Sequence, residues 1–168
     1  MTYDKSLAKH TALSAKTRPS KELLSFIGTY EDINPRNTVI LDFGAGNGRH
    51  SNALREMGFT VYSYDPFNGE LEVDPYEEVS VVLPKGKFDL VLSAFVLNVV
   101  SYEDMLGILN RMENLTKDGG FTVHIVREDL RKLKGGDTVG KKGSIQRDIP
   151  TKQLTDLGYE RIGKVFVK

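Results

Sequence analysis

Two carboxylates and a run of glycines are the residues best placed to do chemistry in this chain. Asp42 stands just before Gly44-Ala45-Gly46-Asn47-Gly48, and Asp65 follows within Tyr64-Asp65-Pro66. Glycines in such a loop permit a tight turn and let a ligand approach the backbone amides closely. The spacing is G-x-G-x-G, not the G-x-G-x-x-G of dinucleotide-binding turns. An acid beside the loop repels a pyrophosphate but suits a ligand that carries an ammonium or sulfonium group. A carboxylate ending the next strand can accept both ribose hydroxyl protons of an adenosine.

These groups need neighbouring strand ends to hold them, and the hydrophobic pattern supplies such ends. Thr38-Val39-Ile40-Leu41-Asp42-Phe43 is β-branched and almost continuously apolar, as in a parallel strand buried on both faces. A helix is expected over 49–57, closed by Gly58, and Phe59-Thr60-Val61-Tyr62-Ser63-Tyr64 alternates as a second strand. Only about 20 residues then precede the next confident strand, too few for a full helix–strand–helix. They are read as a short strand at 71–73 and one helix at 75–82. Phe88-Asp89-Leu90-Val91-Leu92-Ser93-Ala94-Phe95 is the next buried strand, and Ser101-Tyr102-Glu103-Asp104 resembles a capping box opening a helix to about Leu115. Asp118-Gly119-Gly120 reads as a turn before a strand at 121–126, and glycines among lysines at 135–143 as a loop. A last helix is expected at 150–157 and one last strand at 159–167. Ser20 caps a first amphipathic helix carrying Leu23, Leu24 and Ile27.

Alternating strands and helices with buried strands predict an α/β fold, a Rossmann-like, doubly wound, mostly parallel sheet in three layers, α/β/α. Ligands in such sheets lie beyond the carboxyl ends of the strands, where strand order reverses. The functional residues are therefore expected at 42–48, 65–67, 74, 93–98 and 126–129. With the glycine spacing and the two acids, this arrangement suits S-adenosylmethionine better than NAD.

Val39-Ile40-Leu41-Asp42-Phe43-Gly44-Ala45-Gly46-Asn47-Gly48 resembles the first motif of class I S-adenosylmethionine-dependent methyltransferases, and Tyr64-Asp65-Pro66 their second-strand acid. Phe88-Asp89-Leu90-Val91-Leu92-Ser93 is similar to their fourth strand, and Leu115-Thr116-Lys117-Asp118-Gly119-Gly120 to the turn before their fifth. The resemblance implies the class I methyltransferase fold, with S-adenosyl-L-methionine as cofactor and methyl transfer to an N or O atom as the reaction. It implies cofactor contacts from Asp42, Gly44, Ala45, Gly46, Gly48, Asp65, Pro66, Ser93 and Phe95, with Asp74 near the adenine amino group. Two departures stand out: the region between the second and fourth family strands is shortened, and the C-terminal strand pair is reduced, so that either one strand is missing or Ser144 to Ile149 supplies an edge. Lys9-His10-Thr11-Ala12-Leu13-Ser14 and Val96-Leu97-Asn98-Val99-Val100 are further similar to small methyltransferases found in phages and beside DNA phosphorothioation genes.

Blander readings compete. Asp42 can brace the loop or the helix start, Asp65 can be the acid of a turn before proline, and Asp74 a solvated helix cap. Asn98 is either an acceptor contact or an amide that satisfies a loop; Asn98 and Glu128 are the catalytic candidates. His124 falls in mid-strand, where a hydrogen-bonded core residue is expected. His10 and His50 lack a second ligand at metal spacing, so no metal is assigned.

The chain has 168 residues, no cysteine, and 23 basic against 23 acidic residues. That length fits one domain, 20–168, preceded by a basic segment, 1–19, over the mouth of the site. No apolar run is long enough to cross a bilayer and no signal-peptide core is present, so no membrane partner and a cytoplasmic location are expected. Without cysteine, methylation at pyrimidine C5 through a thiolate is excluded. The Pro-Pro-aromatic signature of amino-directed DNA methyltransferases is replaced by Ser93-Ala94-Phe95-Val96. The acceptor is then a small molecule, a nucleotide or a flexible polymer end, nucleic acid included. The zero net charge is a sum of opposites: an acidic middle lies between two basic flanks containing Lys16, Arg18, Arg127 and Arg131. Such flanks favour an anionic acceptor, or are merely solvated. A non-catalytic module that binds S-adenosylmethionine and acts through a protein partner is the alternative.

Overall fold

The computed structural model describes residues 18–65, 87–126, 138–139, 145–146 and 151–168. The strand and helix expected at 71–73 and 75–82 lie outside them. Strand β1 (Val39–Phe43) pairs in parallel with β2 (Thr60–Tyr64) on one side and with β3 (Phe88–Ala94) on the other. Strand β4 (Thr116–Ile125) runs parallel beside β3. Two short strands, β7 (Glu160–Ile162) and β8 (Val165–Val167), complete a six-stranded sheet in the order β2-β1-β3-β4-β8-β7, with β8 antiparallel to both neighbours.

Alternate side chains of each strand enter opposite cores, which is what a doubly wound sheet requires. On one face Leu41, Phe43, Val91 and Phe166 pack with Met105, Ile108, Leu109 and Met112 of α3 (Tyr102–Leu115) and with Leu154 of α4 (Thr151–Asp156). On the other, Ile40, Leu90, Leu92 and Val167 meet Leu23, Phe26 and Ile27 of α1 (Lys21–Thr29) and Leu54 of α2 (Arg49–Glu56). The caps form as the sequence predicts: Ser20 Oγ accepts from the Leu23 amide at 3.5 Å and Ser101 Oγ from the Asp104 amide at 3.0 Å.

Three expectations need correction. Residues 159–167 are not one strand, and the C-terminal pair is not reduced. Gly163 takes a left-handed φ of +62° and Ile162 lies opposite Val165, so Gly163-Lys164 is a two-residue hairpin turn between β7 and β8. Of the edge expected at 144–149, the described residues do not join this sheet. Instead β6 (Ile145–Gln146) pairs antiparallel with β5 (Thr138–Val139) in a separate ladder, and β6 runs past the 3₁₀ turn Leu97–Val99. The expected turn at 118–120 is a bulge inside β4: register passes from Phe88 opposite Thr116 to Leu90 opposite Phe121, leaving Asp89 to face the extra residues. Asp89 is used there, accepting from the Val39 amide at 2.8 Å and pairing with Lys117 Nζ at 3.0 Å. It lies at the amino ends of the strands, away from the switch point.

His124 is a buried core residue whose Nδ1 lies 2.7 Å from Ser93 Oγ. Burial pushes its imidazole down to about 3, and burial followed by the Arg49 charge pushes His50 down to about 4. Both stay neutral in the native state while the unfolded chain takes up protons near pH 6.5, so each withdraws stability as pH falls through that value. Replacing His124 with Gln, which keeps a polar group opposite Ser93, removes one of these penalties. The difference in Tm between parent and His124→Gln should therefore shift in favour of the variant between pH 7.5 and 5; parallel curves would contradict the buried neutral ring.

Candidate cofactor cradle and its neighbours

At the carboxyl end of β1 the chain turns sharply and is fastened to the end of β2. The Gly44 and Ala45 amides both donate to Tyr64 O, at 2.7 and 3.0 Å, and the Gly46 amide donates to Asp65 Oδ2 at 2.7 Å. The Gly48 amide returns to Ala45 O at 2.9 Å. Four loop amides are thus bonded inward. Gly44, Gly46 and Gly48 all adopt left-handed φ, between +57° and +77°, a region that costs L-residues with a Cβ about 1–2 kcal/mol. Gly44 also has a steric requirement, because a Cβ there would run into the Val96 side chain beyond β3. The loop therefore sits between Asp65 on one side and the β3 end on the other, the point where strand order reverses.

Asp42, 1% exposed, lies under this loop, and Asp65, 7% exposed, lies beside it. Ser51 in the first turn of α2 donates to Asp42 Oδ2 at 2.6 Å, and Ser63, opposite Asp42 in β2, donates to Ser51 Oγ at 2.8 Å. Burial pushes the Asp42 carboxyl from its ordinary 3.8 up to about 6; hydrogen bonds from Ser51 and the Arg55 charge oppose that rise, while the Asp65 charge adds to it. A buried carboxylate placed between loop, helix and strand in this way can meet a cation entering the crevice.

Beyond the end of β3, Phe95 is the one residue besides glycine with a positive φ among those described, at +62°, and it is 37% exposed. Its amide donates to Ile125 O at 2.7 Å, which holds the strained turn in place. The Arg49 guanidinium lies 5.6 Å from the Phe95 ring centroid and makes no ion pair among the described residues. Asn98, 1% exposed, follows in the 3₁₀ turn.

Of the residues singled out from sequence, Asp42, Gly44, Ala45, Gly46, Gly48, Asp65, Phe95 and Asn98 come together at the carboxyl ends of the strands. Ser93 lies next to that end, but its hydroxyl is buried against His124. Arg18 is exposed ahead of α1. Lys16, Pro66, Asp74, Arg127, Glu128 and Arg131 lie outside the described residues. Among those described, no three His, Cys, Asp or Glu side chains gather as a metal site, and no helix is long and apolar enough to cross a membrane. Sequence reasoning missed Ser51, Ser63, Arg55 and Arg49. The available signal was a pair of serines at inward-facing positions of α2 and β2, where apolar residues are the rule.

Two stability measurements follow from this geometry. Gly44→Ala should lose roughly 2–4 kcal/mol in urea unfolding, from the left-handed φ and the overlap with Val96. Adding Val96→Ala should recover part of that loss; full recovery would mean that φ costs nothing there. Asp42→Asn should stabilise the ligand-free protein at pH 7.5, by up to roughly 3 kcal/mol, because the native carboxyl is harder to ionise than the unfolded one. The sign is that of a raised acid: native stability is lost as pH rises from 3.8 through about 6. The advantage of Asn should accordingly shrink on going to pH 4.

The fold recurs in solved methyltransferases. A 1,6-didemethyltoxoflavin-N1-methyltransferase from Burkholderia thailandensis, crystallised with 1,6-didemethyltoxoflavin and S-adenosylhomocysteine, superposes with a TM-score of 0.59 at 20% identity, covering 96% of this chain and 77% of that one. The magnesium protoporphyrin IX methyltransferase of Synechocystis PCC 6803, with bound S-adenosylhomocysteine, gives 0.59 at 17% identity over 96% and 82% of the two chains. A SAM-dependent methyltransferase from Aquifex aeolicus gives 0.56 at 18% identity over 99% and 97%. At these identities the likeness establishes the fold alone. No curated protein matches in sequence. A family model described as a methyltransferase domain matches residues 12–157, most of the chain. On that match, the protein belongs to the methyltransferase domain family.

Proposed function

We propose that this protein is an S-adenosylmethionine-dependent methyltransferase acting on an N or O atom of an anionic acceptor, a nucleotide or nucleic-acid end being the class that best suits its charge. The observation that carries the cofactor reading is the inward use of the loop amides. Gly44, Ala45, Gly46 and Gly48 spend their N–H groups on Tyr64 O, Asp65 and Ala45 O, so the loop does not offer them as a phosphate cradle. What it presents instead is carboxylate. That suits a ligand with an ammonium group and a ribose and disfavours a pyrophosphate.

The residues fit the cofactor on this observation. Asp42 would meet its ammonium group and Asp65, oriented by the Gly46 amide, its ribose hydroxyls. Gly44 leaves room for the Val96 side chain, so the loop packs against the end of β3, where Phe95 stands exposed. When bound, S-adenosylmethionine supplies a methyl group on a sulfonium whose leaving thioether is neutral, so the protein's task is alignment in a dry crevice. Asn98 and Glu128 remain the proposed catalytic groups. For an anionic acceptor the support is Arg49. It is a cation at the first position of α2, where the helix dipole disfavours it, with no carboxylate partner among the described residues and stacked on an exposed aromatic ring. The basic segments flanking the domain add charge of the same sign. A cytoplasmic location and kinship with the small phage and phosphorothioation-linked methyltransferases accord with this reading.

Calorimetric titration with S-adenosylhomocysteine tests the cofactor assignment. Micromolar-range binding is expected, with Asp65→Ala weakening it at least tenfold, since a charge-assisted bond is worth about 1.5–3 kcal/mol. No binding, or unchanged affinity in the variant, would overturn it. Transfer of labelled methyl from S-adenosylmethionine to fractionated cell extract should mark nucleic acid or nucleotides. Cofactor binding without label in any fraction would instead favour the non-catalytic module.

A further inference from the structure

We propose that Arg55 is a positioning residue for cofactor recognition, acting through Ser63 and Ser51 to hold the Asp42 carboxylate charged. The inference rests on the reading of Asp42 as the ammonium contact.

The evidence is a hydrogen-bonded chain with a forced direction. Arg55 Nε and Nη2 both donate to Val61 O, at 3.2 and 2.8 Å, which fixes the guanidinium against β2. Nη2 also reaches Ser63 Oγ at 3.2 Å. A guanidinium only donates and a carboxylate only accepts, while each hydroxyl has a single proton to give. Ser63 must therefore accept from Arg55 and pass its proton to Ser51 at 2.8 Å, and Ser51 must pass its own to Asp42 Oδ2 at 2.6 Å. Every dipole along the path points its positive end at Asp42. Such chains polarise one another in a low-dielectric setting, so a half-buried arginine stabilises a fully buried anion it does not touch.

Among the described residues, the groups that face Asp42 come from the helix, the loop and the two neighbouring strands. Facing Asp42, α2 contributes the Arg55 charge and the neighbouring loop contributes Asp65, whose like charge works against ionisation. On the sheet, β2 places Ser63 beside Asp42 and β3 places Leu92, neither of which titrates. A carboxylate buried this deeply, with a second one near, would otherwise take a proton at moderately acidic pH and lose its attraction for an ammonium group. The arrangement also fixes which oxygen is used: Oδ2 is taken by Ser51, and the carboxylate plane is set by α2 rather than by the ligand.

The test is the affinity for S-adenosylhomocysteine, measured by calorimetry from pH 5 to 8 on the full chain as parent, Ser63→Ala, Ser63→Thr, Arg55→Met and Asp42→Asn, with a thermal melt of each sample. Parent affinity should fall as pH drops through the region where Asp42 protonates, and Asp42→Asn should lose that fall. Ser63→Ala and Arg55→Met should move the fall to higher pH, so that near pH 6.5 they bind roughly three- to tenfold more weakly than the parent, for a displacement of up to about one pH unit. Their curves should converge with the parent's at pH 8, and Ser63→Thr, which restores the hydroxyl, should restore the parent profile. Equal weakening at every pH, the mark of lost packing alone, or parent-like binding at every pH, would overturn the proposal. If Arg55→Met does not fold, the Ser63 pair decides. If the parent shows no Asp42-dependent profile, the failure lies in the assignment of Asp42 itself, and the relay falls with it.

Discussion

A carboxylate buried at the end of a central parallel strand is expensive to keep charged, and much of the local architecture meets that expense at Asp42. Leu41 and Phe43, its chain neighbours, point into the apolar core on one face, and Ile40 into the core on the other. Nothing in β1 itself can solvate the group. Solvation comes from Ser51, which reaches Asp42 only because α2 begins directly after the loop, with its positive dipole end toward the site. Helix α2 can begin there only because the loop is short. The loop can be short only because Gly44, Gly46 and Gly48 accept left-handed backbone and Gly44 leaves room for Val96. Strand, loop and helix are three consequences of one electrostatic requirement.

Much of this was legible in the sequence, for a physical reason. Residues 39–43 carry a buried-strand pattern, the glycines follow immediately, and Asp65 stands before Pro66. Each is a local signal, set by periodicity or by backbone stereochemistry. The Ser20 and Ser101 caps are likewise local, as is the core placement of His124 in the middle of an apolar strand. Where a residue's role depended only on its neighbours in the chain, its type and position sufficed to infer it.

The parts that escaped depend on register between separate elements. Ser63 faces Asp42 because β1 and β2 pair with that offset, and Ser51 meets both because of the rotational phase of α2. A serine in an alternating strand is otherwise unremarked. Arg49 reaches Phe95 only across the switch point, between segments far apart in sequence. The C-terminal hairpin differs, because its signal was local and went unused. Glycine followed by lysine between β-branched residues is a two-residue turn as readily as a break in one strand, and the three-residue arms are too short for periodicity to decide. What settles the matter is β4, whose edge recruits Val165–Val167 in antiparallel register, with Tyr159 donating to Glu113 at 2.7 Å behind it.

The charge distribution acquires a structural meaning from the same site. The acidic middle of the chain contains β1, α2 and β2, the three elements that surround the cradle, and the two carboxylates buried among its described residues lie at strand ends. Burying two like charges near one another is unfavourable for an empty site, since the Asp65 charge raises the very group that Ser51 lowers. On the proposed function, the ammonium group of the cofactor offsets that cost at Asp42. Arg49 inverts the pattern. It is a positive group at the positive end of a helix, held over an aromatic ring on a strained turn. A site with anionic charge deep and cationic charge at its rim sorts a ligand by orientation as well as by affinity. On the proposed function, the cofactor's cationic end would lodge inward and an anionic acceptor would meet the rim. Two-substrate group transfer requires that the partners enter one crevice without exchanging places, and opposed charges at its two depths meet the requirement with few residues.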